Sequence, residues 1–265
     1  MKKIKFYCVT NKLINFISNE NYNLAWVGKD NPPNNYIKCD NKDNIFYKEK
    51  NYSELTFHYW YWKNLLKFEQ EGQWIGFCQK RRYWIKDTNK NEINMNNLNK
   101  YLLTHCDDKN ENYEAFICDP IKISEAKKIK LLKRGWRNIL KQPNILFNSK
   151  FINIEVHFDM YHGYGNLEKA IKLLDENDRD DFFTYVRSNN EFNPHIMFIA
   201  KKDIVNKWFN ALFPWLKRCE KEFGFENLKG YDTTRIYAYL SERYLSFWFK
   251  KYTNFKAHPW IFLDI

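Results

Sequence analysis

The sequence lacks the long apolar runs and paired cysteines of membrane-spanning and disulfide-rich proteins. No window approaches the roughly 20 apolar residues that a membrane span requires. The 6 cysteines include no Cys-x-x-Cys pair, which is typical of buried free thiols in a reducing compartment. The first residues include lysines, but their apolar run is far too short for a secretory signal. We therefore expect a cytoplasmic protein, with peripheral attachment at the inner face of the membrane left open.

Internal repeats and low-complexity tails are also absent, and 265 residues are enough for one large domain with a full core. Positive charge, by contrast, is in excess: 43 Lys and Arg against 32 Asp and Glu give a formal net charge of +11. This excess favours anionic partners such as nucleic acid, nucleotide diphosphates or an acidic membrane surface. Lysine and asparagine also fill the linkers, which indicates coding bias, so charge alone does not choose among these partners.

Strand-like and helix-like segments are interleaved, which predicts an α/β fold that is helix-rich toward the end of the chain. Short apolar or alternating runs predict strands at 4–9, 23–28, 74–78, 114–118, 151–158 and 195–200. A helix-sized gap separates the first two strands, as a βαβ unit requires. Spacing and capping residues predict helices, one of them bent at Pro214, from Asn51 through Leu66 and at 124–134, 166–174, 203–223 and 233–251.

Three adjacent cations, Lys80, Arg81 and Arg82, follow a predicted apolar strand. Ligands of open α/β sheets bind outside the carboxyl ends of the strands, and guanidinium groups bind phosphate oxygens bidentately. The cluster therefore indicates a bound phosphate. Many nucleotide-sugar enzymes hold a divalent metal with two aspartates at such a strand end, so cations there predict charge neutralisation without a metal. The alternative is that one arginine pairs with a buried carboxylate, Glu54 or Glu242.

Blocks of residues spread over most of the chain carry a family resemblance. The blocks of the first half are Asp40-Asn41, Asp43-Asn44-Ile45, Asn51-Tyr52-Ser53-Glu54-Leu55-Thr56, Tyr59-Trp60, Trp62-Lys63-Asn64, Gly76-Phe77-Cys78 and Arg81-Arg82-Tyr83. Those of the second half are His157, His162, Met197-Phe198-Ile199, Leu212-Phe213-Pro214 and Leu240-Ser241-Glu242-Arg243. In these blocks the chain resembles a family long labelled a capsular polysaccharide domain of unknown function, which is similar to GT-A-type glycosyltransferases. Its members that act in O-antigen synthesis are β-1,3-galactofuranosyltransferases that use UDP-galactofuranose.

The resemblance implies a single GT-A-like, Rossmann-like domain over residues 1–265, with a mixed, mostly parallel sheet and a helix-rich C-terminal part. Residues 1–120 would bind the nucleotide sugar, and residues 121–265 would form the acceptor side. The chain departs from most relatives near the expected sugar pocket, at Gln79-Lys80 (His-Tyr in relatives), Asn166-Leu167 (Asp-Leu) and Ile196 (Asn). The resemblance therefore leaves the donor sugar and the acceptor open.

The donor-binding residues predicted for such a GT-A-like fold lie at strand ends and in the matching blocks. They are Thr10, Lys12, Gly28, Asp43, Asn44, Glu54, Lys80, Arg81, Arg82 and Tyr83. Thr10 and Lys12 follow the first strand, where a GT-A-like fold receives the base and ribose, and Gly28 would allow close approach of the ligand. Asp43 and Asn44 would bond ribose or sugar hydroxyls, or they form a turn instead.

Transfer with inversion needs a base that takes the proton from the acceptor hydroxyl. His157, Asp159 and His162 form an H-x-D-x-x-H pattern at the end of a predicted strand, and we predict Asp159 as the base, with His162 as the second choice. The alternatives are that His157 is a core histidine and Asp159 a turn or cap residue. A zinc site from the same three residues is less favoured, because no cysteine or further carboxylate is spaced to complete it.

Glu242 and Arg243 lie in an amphipathic helical segment, so we expect a partly buried ion pair. The pair would either orient the cations at 80–82 or contact the ligand, and we favour the first role. His195, at the start of a predicted strand, is the third supporting residue.

The function predicted from these residues is an inverting glycosyltransferase of the hexosyltransferase type in surface polysaccharide synthesis. It would use a UDP-sugar, with galactofuranose as a candidate, and a glycan or lipid-linked glycan acceptor, without a cofactor or divalent metal. Alternatives are the same fold with another donor, a non-catalytic sugar-binding module, and a protein that stacks single-stranded nucleic acid on its aromatics. We expect no nucleic acid, because the aromatics fall at core spacing and no ribonucleoprotein-type motif is present.

Overall fold

The computed structural model describes residues 2–107, 112–123, 135–141, 143–147 and 152–264, which form an α/β fold as predicted. The strands are β1 (Lys2–Thr10), β2 (Tyr22–Trp26), β3 (Ile37–Lys38), β4 (Trp74–Gln79), β5 (Arg82–Trp84), β6 (His105–Cys106), β7 (Ala115–Cys118), β8 (Ile121–Lys122), β9 (Glu191–Phe192), β10 (Phe198–Lys201), β11 (Phe255–His258) and β12 (Trp260–Phe262). The α-helices are α1 (Glu49–Tyr52), α2 (Leu55–Asn64), α3 (Leu98–Tyr101), α4 (Trp136–Lys141), α5 (Ile154–His162), α6 (Asn166–Lys172), α7 (Glu176–Ser188), α8 (Lys202–Phe223), α9 (Tyr231–Thr234) and α10 (Ile236–Tyr252). None of these helices is both long enough and apolar enough to cross a lipid bilayer.

The chain forms two compact units, each built from segments that are distant in sequence. The first unit consists of residues 1–119, 195–211 and 248–265, and the second consists of residues 120–194 and 212–247. The first boundary falls next to the end of the predicted nucleotide-sugar-binding part. Late segments of the chain also belong to the first unit, so β10, β11 and β12 complete its sheet.

The sheet of the first unit is mixed and mostly parallel along its main path, which confirms the prediction. The strand order along this path is β11-β7-β10-β4-β1-β2-β3. β1 lies parallel to β2 and β4, β2 to β3, and β7 to β11, whereas β10 is antiparallel to both of its neighbours. Three of the described strands lie off this path. β5 is antiparallel to β4, and β12 is antiparallel to β5. β6 is antiparallel to β1.

β4 lies between β1 and β10 and is buried along its whole length. Its sequence is therefore apolar without strict alternation, as a strand covered on both faces requires. Gly76 has a specific packing role in this strand. A β-carbon at Gly76 would lie 2.4 Å from the ring of Phe6 on β1, so glycine is needed for that ring to lie against β4.

The parallel strands bring their carboxyl ends to one edge of the sheet. Val9 of β1 pairs with Gln79 of β4, and Thr10 of β1 pairs with Trp26 of β2. The residues that follow β1, β2 and β4 therefore leave the sheet at the same edge. This is the edge at which ligands of open α/β sheets bind.

The described part of the second unit is mainly helical, with β8 and β9 as a short antiparallel pair. One apolar cluster joins Ile145, Ile152, Val156 and Met160. Elsewhere in this unit, Phe182 of α7 packs against Tyr244 of α10, with ring centres 5.5 Å apart. Both aromatic side chains are buried, so here aromatic residues at helical spacing form core.

The strand predicted at 151–158 is wrong, because residues 154–158 belong to the helix α5. The Asn153 side chain accepts a hydrogen bond from Val156 N (2.9 Å) and so caps the helix at its first turn. A short run that alternates between apolar and polar residues is compatible with either a strand or a helix, and the cap decides here.

Two predictions near the start of the chain are also wrong. The gap between β1 and β2 contains no helix. The helix predicted from Asn51 is interrupted at Ser53, whose φ of 53° is outside the helical region, so α2 begins only at Leu55.

The later helices agree better with the sequence. α6 and α8 lie within two residues of their predicted bounds, and α8 continues through Pro214 without ending. The helix predicted at 233–251 is divided into α9 and α10. The helix predicted at 124–134 lies outside the described residues, and the sequence did not predict α7, β11 or β12.

Candidate functional site

A two-residue turn between β4 and β5 contains Lys80 and Arg81. Gln79 pairs with Arg82 across the turn, and Arg81 N donates to the Tyr83 hydroxyl (3.2 Å). The φ of Arg81 is 73°, in the left-handed region that glycine adopts easily and that costs other residues roughly 1–2 kcal/mol. Strained residues of this kind cluster at functional sites. The turn therefore holds an arginine at the carboxyl end of β4 despite its backbone strain.

Arg82 is positioned by a chain of polar side chains. The Gln79 amide is oriented with its nitrogen toward Glu54 and its oxygen toward Arg82. Its Nε2 donates to Glu54 Oε1 (3.0 Å), and its Oε1 accepts from Arg82 Nη1 (3.2 Å). Glu54 lies immediately before α2, so the start of this helix sets the position of the carboxylate. Glu54 thus acts on Arg82 through Gln79, a residue to which the sequence assigned no role in the site.

Arg81 faces the end of β12 and the segment that follows it. Its Nη2 lies 2.6 Å from Asp264 Oδ1, and its guanidinium carbon lies 4.8 Å from the centre of the Phe262 ring. The Nε atoms of Arg81 and Arg82 are both buried, and the described residues provide neither with a hydrogen-bond partner. Buried donors without partners are rare in proteins, and a bound ligand, ion or water is one explanation for them.

The residues after β1 make local contacts at the same edge of the sheet. Thr10 Oγ1 accepts from Lys12 N (3.0 Å) and donates to Lys12 O (2.6 Å), which closes the turn. Asn11, between them, accepts from Lys80 Nζ. The turn after β1 and the turn after β4 are therefore joined by a side-chain contact.

Gly28, Asp43 and Asn44 have structural roles in the first unit. A β-carbon at Gly28 would lie 2.6 Å from the Trp26 ring, so glycine makes room for the indole. Asp43 Oδ1 accepts from the Tyr59 hydroxyl (3.1 Å), and Asn44 Oδ1 accepts a backbone N–H two residues on (3.1 Å). The Asn44 contact matches the turn-forming alternative, and donor binding stays a prediction for all three residues.

His195 also belongs to the first unit. Its φ is 68°, and its ring meets the Trp260 ring edge to face with centres 4.6 Å apart. β10 begins only at Phe198, so the strand predicted to start at His195 is shorter than expected. The supporting role of His195 stays a prediction.

In the second unit, the H-x-D-x-x-H residues lie on α5, where His157 and Asp159 point in different directions because residues two apart in a helix do not share a face. Asp159 is buried, and its Oδ1 accepts from Gly165 N (2.9 Å). Burial raises the pKa of Asp159 to about 6, although the Gly165 N–H opposes this shift. Asp159 lines a cavity of about 180 Å³. The charged residues that share this lining are Lys141, Glu155, Glu168 and Arg187.

Arg243 is buried in the second unit, with only 2% of its side chain exposed, and pairs with Glu242 as expected. Its guanidinium carbon lies 3.9 Å from the centre of the Phe192 ring, and its Nη2 lies 3.4 Å from His157 Nδ1. Burial, followed by the charge of Arg243, lowers the pKa of His157 to about 3. His157 is thus a neutral imidazole that faces an arginine, as the core-histidine alternative predicts. The action of the Glu242–Arg243 ion pair on residues 80–82 stays a prediction.

His162 is held by two contacts of its own. Its ring stacks on Tyr239 with centres 3.8 Å apart, and its Nδ1 donates to Asp232 O (2.8 Å). Burial, followed by the charge of Arg243, lowers the pKa of His162 to about 3. Such an imidazole is a weak base, so Asp159 fits the role of base better than His162.

The zinc alternative gains no support from the geometry. Within the described part of the chain, no group of three His, Cys, Asp or Glu side chains is arranged to hold a metal ion. The expectation that the reaction needs no divalent metal is a separate matter and stays a prediction.

The low pKa values of His157 and His162 predict that the protein loses stability in acid. Between pH 6.5 and about 3 the unfolded chain takes up protons that these folded imidazoles do not, so the free energy of unfolding should fall as the pH falls. In His162→Gln, which keeps an N–H donor for Asp232 O, this loss should be smaller by about 2–3 kcal/mol at pH 4.5. Urea unfolding at pH 7 and pH 4.5 measures the difference, with His105→Gln, at an exposed position, as the control. An unchanged pH dependence in His162→Gln would contradict the prediction.

A cavity of about 860 Å³ lies elsewhere in the first unit. The charged residues that line it are Lys86, Asp87, Lys90, Asp107, Asp119 and Lys256. Lysines and aspartates balance here, and Lys90 Nζ lies 3.7 Å from Asp119 Oδ2, so the cavity offers a diphosphate little net positive charge. Its lining includes none of the predicted donor-binding residues, so its size alone does not make it the donor site.

The fold is similar to that of a solved glycosyltransferase structure. The apo structure of the bifunctional glycosyltransferase WbbM matches with a TM-score of 0.72 at 18% sequence identity, over 100% of this chain and 46% of that one. The chain thus spans about half the length of this neighbour. The likeness confirms the predicted glycosyltransferase-like α/β fold. No curated protein matches the chain.

At the level of sequence, one family model extends over both units. The model described as Domain of unknown function (DUF4422) matches residues 5–254. This range includes the turn at Lys80 and Arg81 in the first unit, here called the arginine turn, and α5 in the second unit. The resemblance expected from the sequence blocks is confirmed to this extent, and the chain belongs to this family of domains of unknown function.

Proposed function

We propose that the chain is an inverting glycosyltransferase that takes a sugar from a UDP-sugar without the help of a divalent metal. Its acceptor would be a glycan or lipid-linked glycan in surface polysaccharide synthesis, reached at the inner face of the membrane. The proposal rests above all on the position of Arg81 and Arg82, two adjacent arginines at the carboxyl edge of a glycosyltransferase-like sheet, each with a buried Nε that has no partner among the described residues.

The chemistry of the leaving group explains why arginines at this edge support the proposal. Glycosyl transfer breaks the bond between the anomeric carbon and the diphosphate, and negative charge grows on the diphosphate as the bond breaks. Guanidinium groups near those oxygens stabilise the transition state more than the ground state. The strained turn holds Arg81, and Gln79 with Glu54 holds Arg82, so the two cations are in place before the substrate arrives.

The acceptor half of the reaction is assigned to Asp159. As the acceptor oxygen attacks the anomeric carbon, its proton would pass to the Asp159 carboxylate. A pKa of about 6 leaves this carboxylate ionised at neutral pH yet basic enough to accept the proton efficiently. The charged lining of its cavity suits an acceptor that is rich in hydroxyl groups.

The sugar is assigned by resemblance. Galactofuranose is our first candidate, because the matching sequence blocks are shared with β-1,3-galactofuranosyltransferases. Gln79 departs from most relatives and contacts Arg82, so a panel of donors is the appropriate test. Release of UDP from UDP-galactofuranose, UDP-galactopyranose and UDP-glucose, each with a panel of glycan acceptors, would identify the donor.

Calorimetric titration with UDP, with and without EDTA, tests the core of the proposal. We expect saturable UDP binding that EDTA does not change, because Arg81 and Arg82 supply the positive charge. ADP, GDP and uridine are the comparison ligands, and uridine should bind much more weakly because it lacks the diphosphate. No binding of UDP would overturn the proposal, and binding only with added Mn²⁺ or Mg²⁺ would overturn its metal-independent form.

A further inference from the structure

The segment after β12 places a carboxylate against the proposed diphosphate site. Asp264 Oδ1 lies 2.6 Å from Arg81 Nη2. Backbone pairing leads the segment to this position, since Phe262 pairs with Arg82 between β12 and β5, and Leu263 N donates to Arg81 O (2.8 Å). The two residues before Asp264 therefore both contact the backbone at Arg81 and Arg82, which fixes where Asp264 lies.

Phe262, the last residue of β12, contributes a second contact. The centre of its ring lies 4.8 Å from the guanidinium carbon of Arg81 and 5.5 Å from that of Arg82. An aromatic ring attracts a cation placed over its face. Phe262 thus holds both guanidinium groups, while Asp264 takes one of the Arg81 donors that a phosphate would use.

The ion pair between Arg81 and Asp264 is built so that it can open. The Arg81 side chain is 39% exposed and that of Asp264 is 77% exposed, and exposed pairs contribute little to stability. A diphosphate carries more negative charge than one carboxylate and can engage two arginines at once. It should therefore displace Asp264 from Arg81.

We propose that Asp264 is an internal competitor of the donor diphosphate. In the ligand-free protein its carboxylate neutralises Arg81, and it leaves Arg81 when the diphosphate binds, while Phe262 stays on both guanidinium groups. This inference rests on the proposed function and adds to it a residue that sets donor affinity. The contrary model is that Asp264 is a brace that orients Arg81 for the ligand.

The two models predict opposite changes in ligand affinity for Asp264→Asn. If Asp264 competes, the variant should bind UDP and inorganic pyrophosphate about two- to fivefold more tightly, which is the range expected for loss of one exposed ion pair. The donor KM should fall by the same factor at unchanged kcat. If Asp264 is a brace, both affinities should fall. Asp264→Glu keeps the carboxylate and should stay close to the wild type.

Glu71→Gln is the matched control. Glu71 is 84% exposed and pairs with Lys202 (2.6 Å), and Lys202 N donates to Gln73 O, next to the amino end of β4. The control therefore removes the same charge from an exposed ion pair at the opposite edge of the sheet. It should leave both affinities unchanged, which separates a local effect from a change in net charge.

Calorimetry on the full chain decides among the outcomes. Tighter binding of both ligands by Asp264→Asn, with Glu71→Gln unchanged, supports the inference. Equal or weaker binding by Asp264→Asn, in a protein that binds UDP, overturns the inference and leaves the proposed function in place. Failure of the wild type and every variant to bind UDP overturns the proposed function, and the inference with it.

Discussion

Arg81→Ala is expected to lower UDP affinity at least about 100-fold, since each charge-assisted hydrogen bond to a phosphate contributes about 1.5–3 kcal/mol and a guanidinium can form two. The loss should be seen with inorganic pyrophosphate as well as with UDP, because the contact is to the diphosphate. Calorimetric titration of the variant measures it. UDP affinity retained in Arg81→Ala would remove the arginine turn from its proposed role.

Two further variants separate lost binding from lost folding. Arg81→Gly should bind UDP as weakly as Arg81→Ala but be at least as stable, because glycine relieves the left-handed backbone at this position. Lys202→Ala removes one positive charge beside the amino end of β4 and should bind UDP like the wild type. Thermal unfolding of all three variants shows whether the fold is intact.

Asp159→Asn is expected to leave UDP binding intact and to slow transfer by about 10²–10⁴-fold, the usual contribution of a general base. Asparagine keeps an oxygen that can accept from Gly165 N, so the loop after α5 should hold its position. In the wild type, the transfer rate should fall as the pH drops through about 6, because the carboxyl becomes protonated there. A fully active Asp159→Asn variant would exclude Asp159 as the base.

Asp159→Asn should also change the stability of the fold, in a direction that the pKa of Asp159 predicts. The pKa of Asp159 is raised from 3.8 in the unfolded chain to about 6 in the folded protein, so ionising this carboxyl destabilises the fold as the pH rises from about 4 to 6. Asp159→Asn should therefore be at least as stable as the wild type at pH 7. Asp178→Asn is the control, since Asp178 is also buried in the second unit and accepts from the Tyr244 hydroxyl (2.5 Å). It should alter stability but not transfer.

The arginine turn of the first unit could be predicted because strand ends leave a local trace in the sequence. β4 is buried on both faces, so its residues form one apolar run, and the change to Lys80 and Arg81 marks the point at which the chain leaves the core. The predicted strand at 74–78 ends one residue short of β4. The short strands β5 and β12 leave no comparable trace, because three-residue runs are common in loops and helices.

The residues proposed to activate the acceptor, in the second unit, were predicted on the wrong element. Residues 151–158 alternate like a strand, and on a strand His157 and Asp159 would have pointed to the same side. On α5 these two residues face different ways, and each has its own partner. Asn153, at the start of this stretch, is a good helix cap, and greater weight on that local signal would have corrected the prediction.

By itself the sequence determined the family, through short blocks along the chain. It also determined the α/β class, the buried strands β1 and β4, and the arginines at the end of β4, because each of these depends on neighbouring residues. Only the tertiary structure decided which partners those arginines meet: Gln79 with Glu54 for Arg82, and Asp264 for Arg81. The partners come from a helix start and from a strand near the other end of the chain. Their positions follow from strand pairing and helix packing between distant segments, which the local pattern of residues does not record.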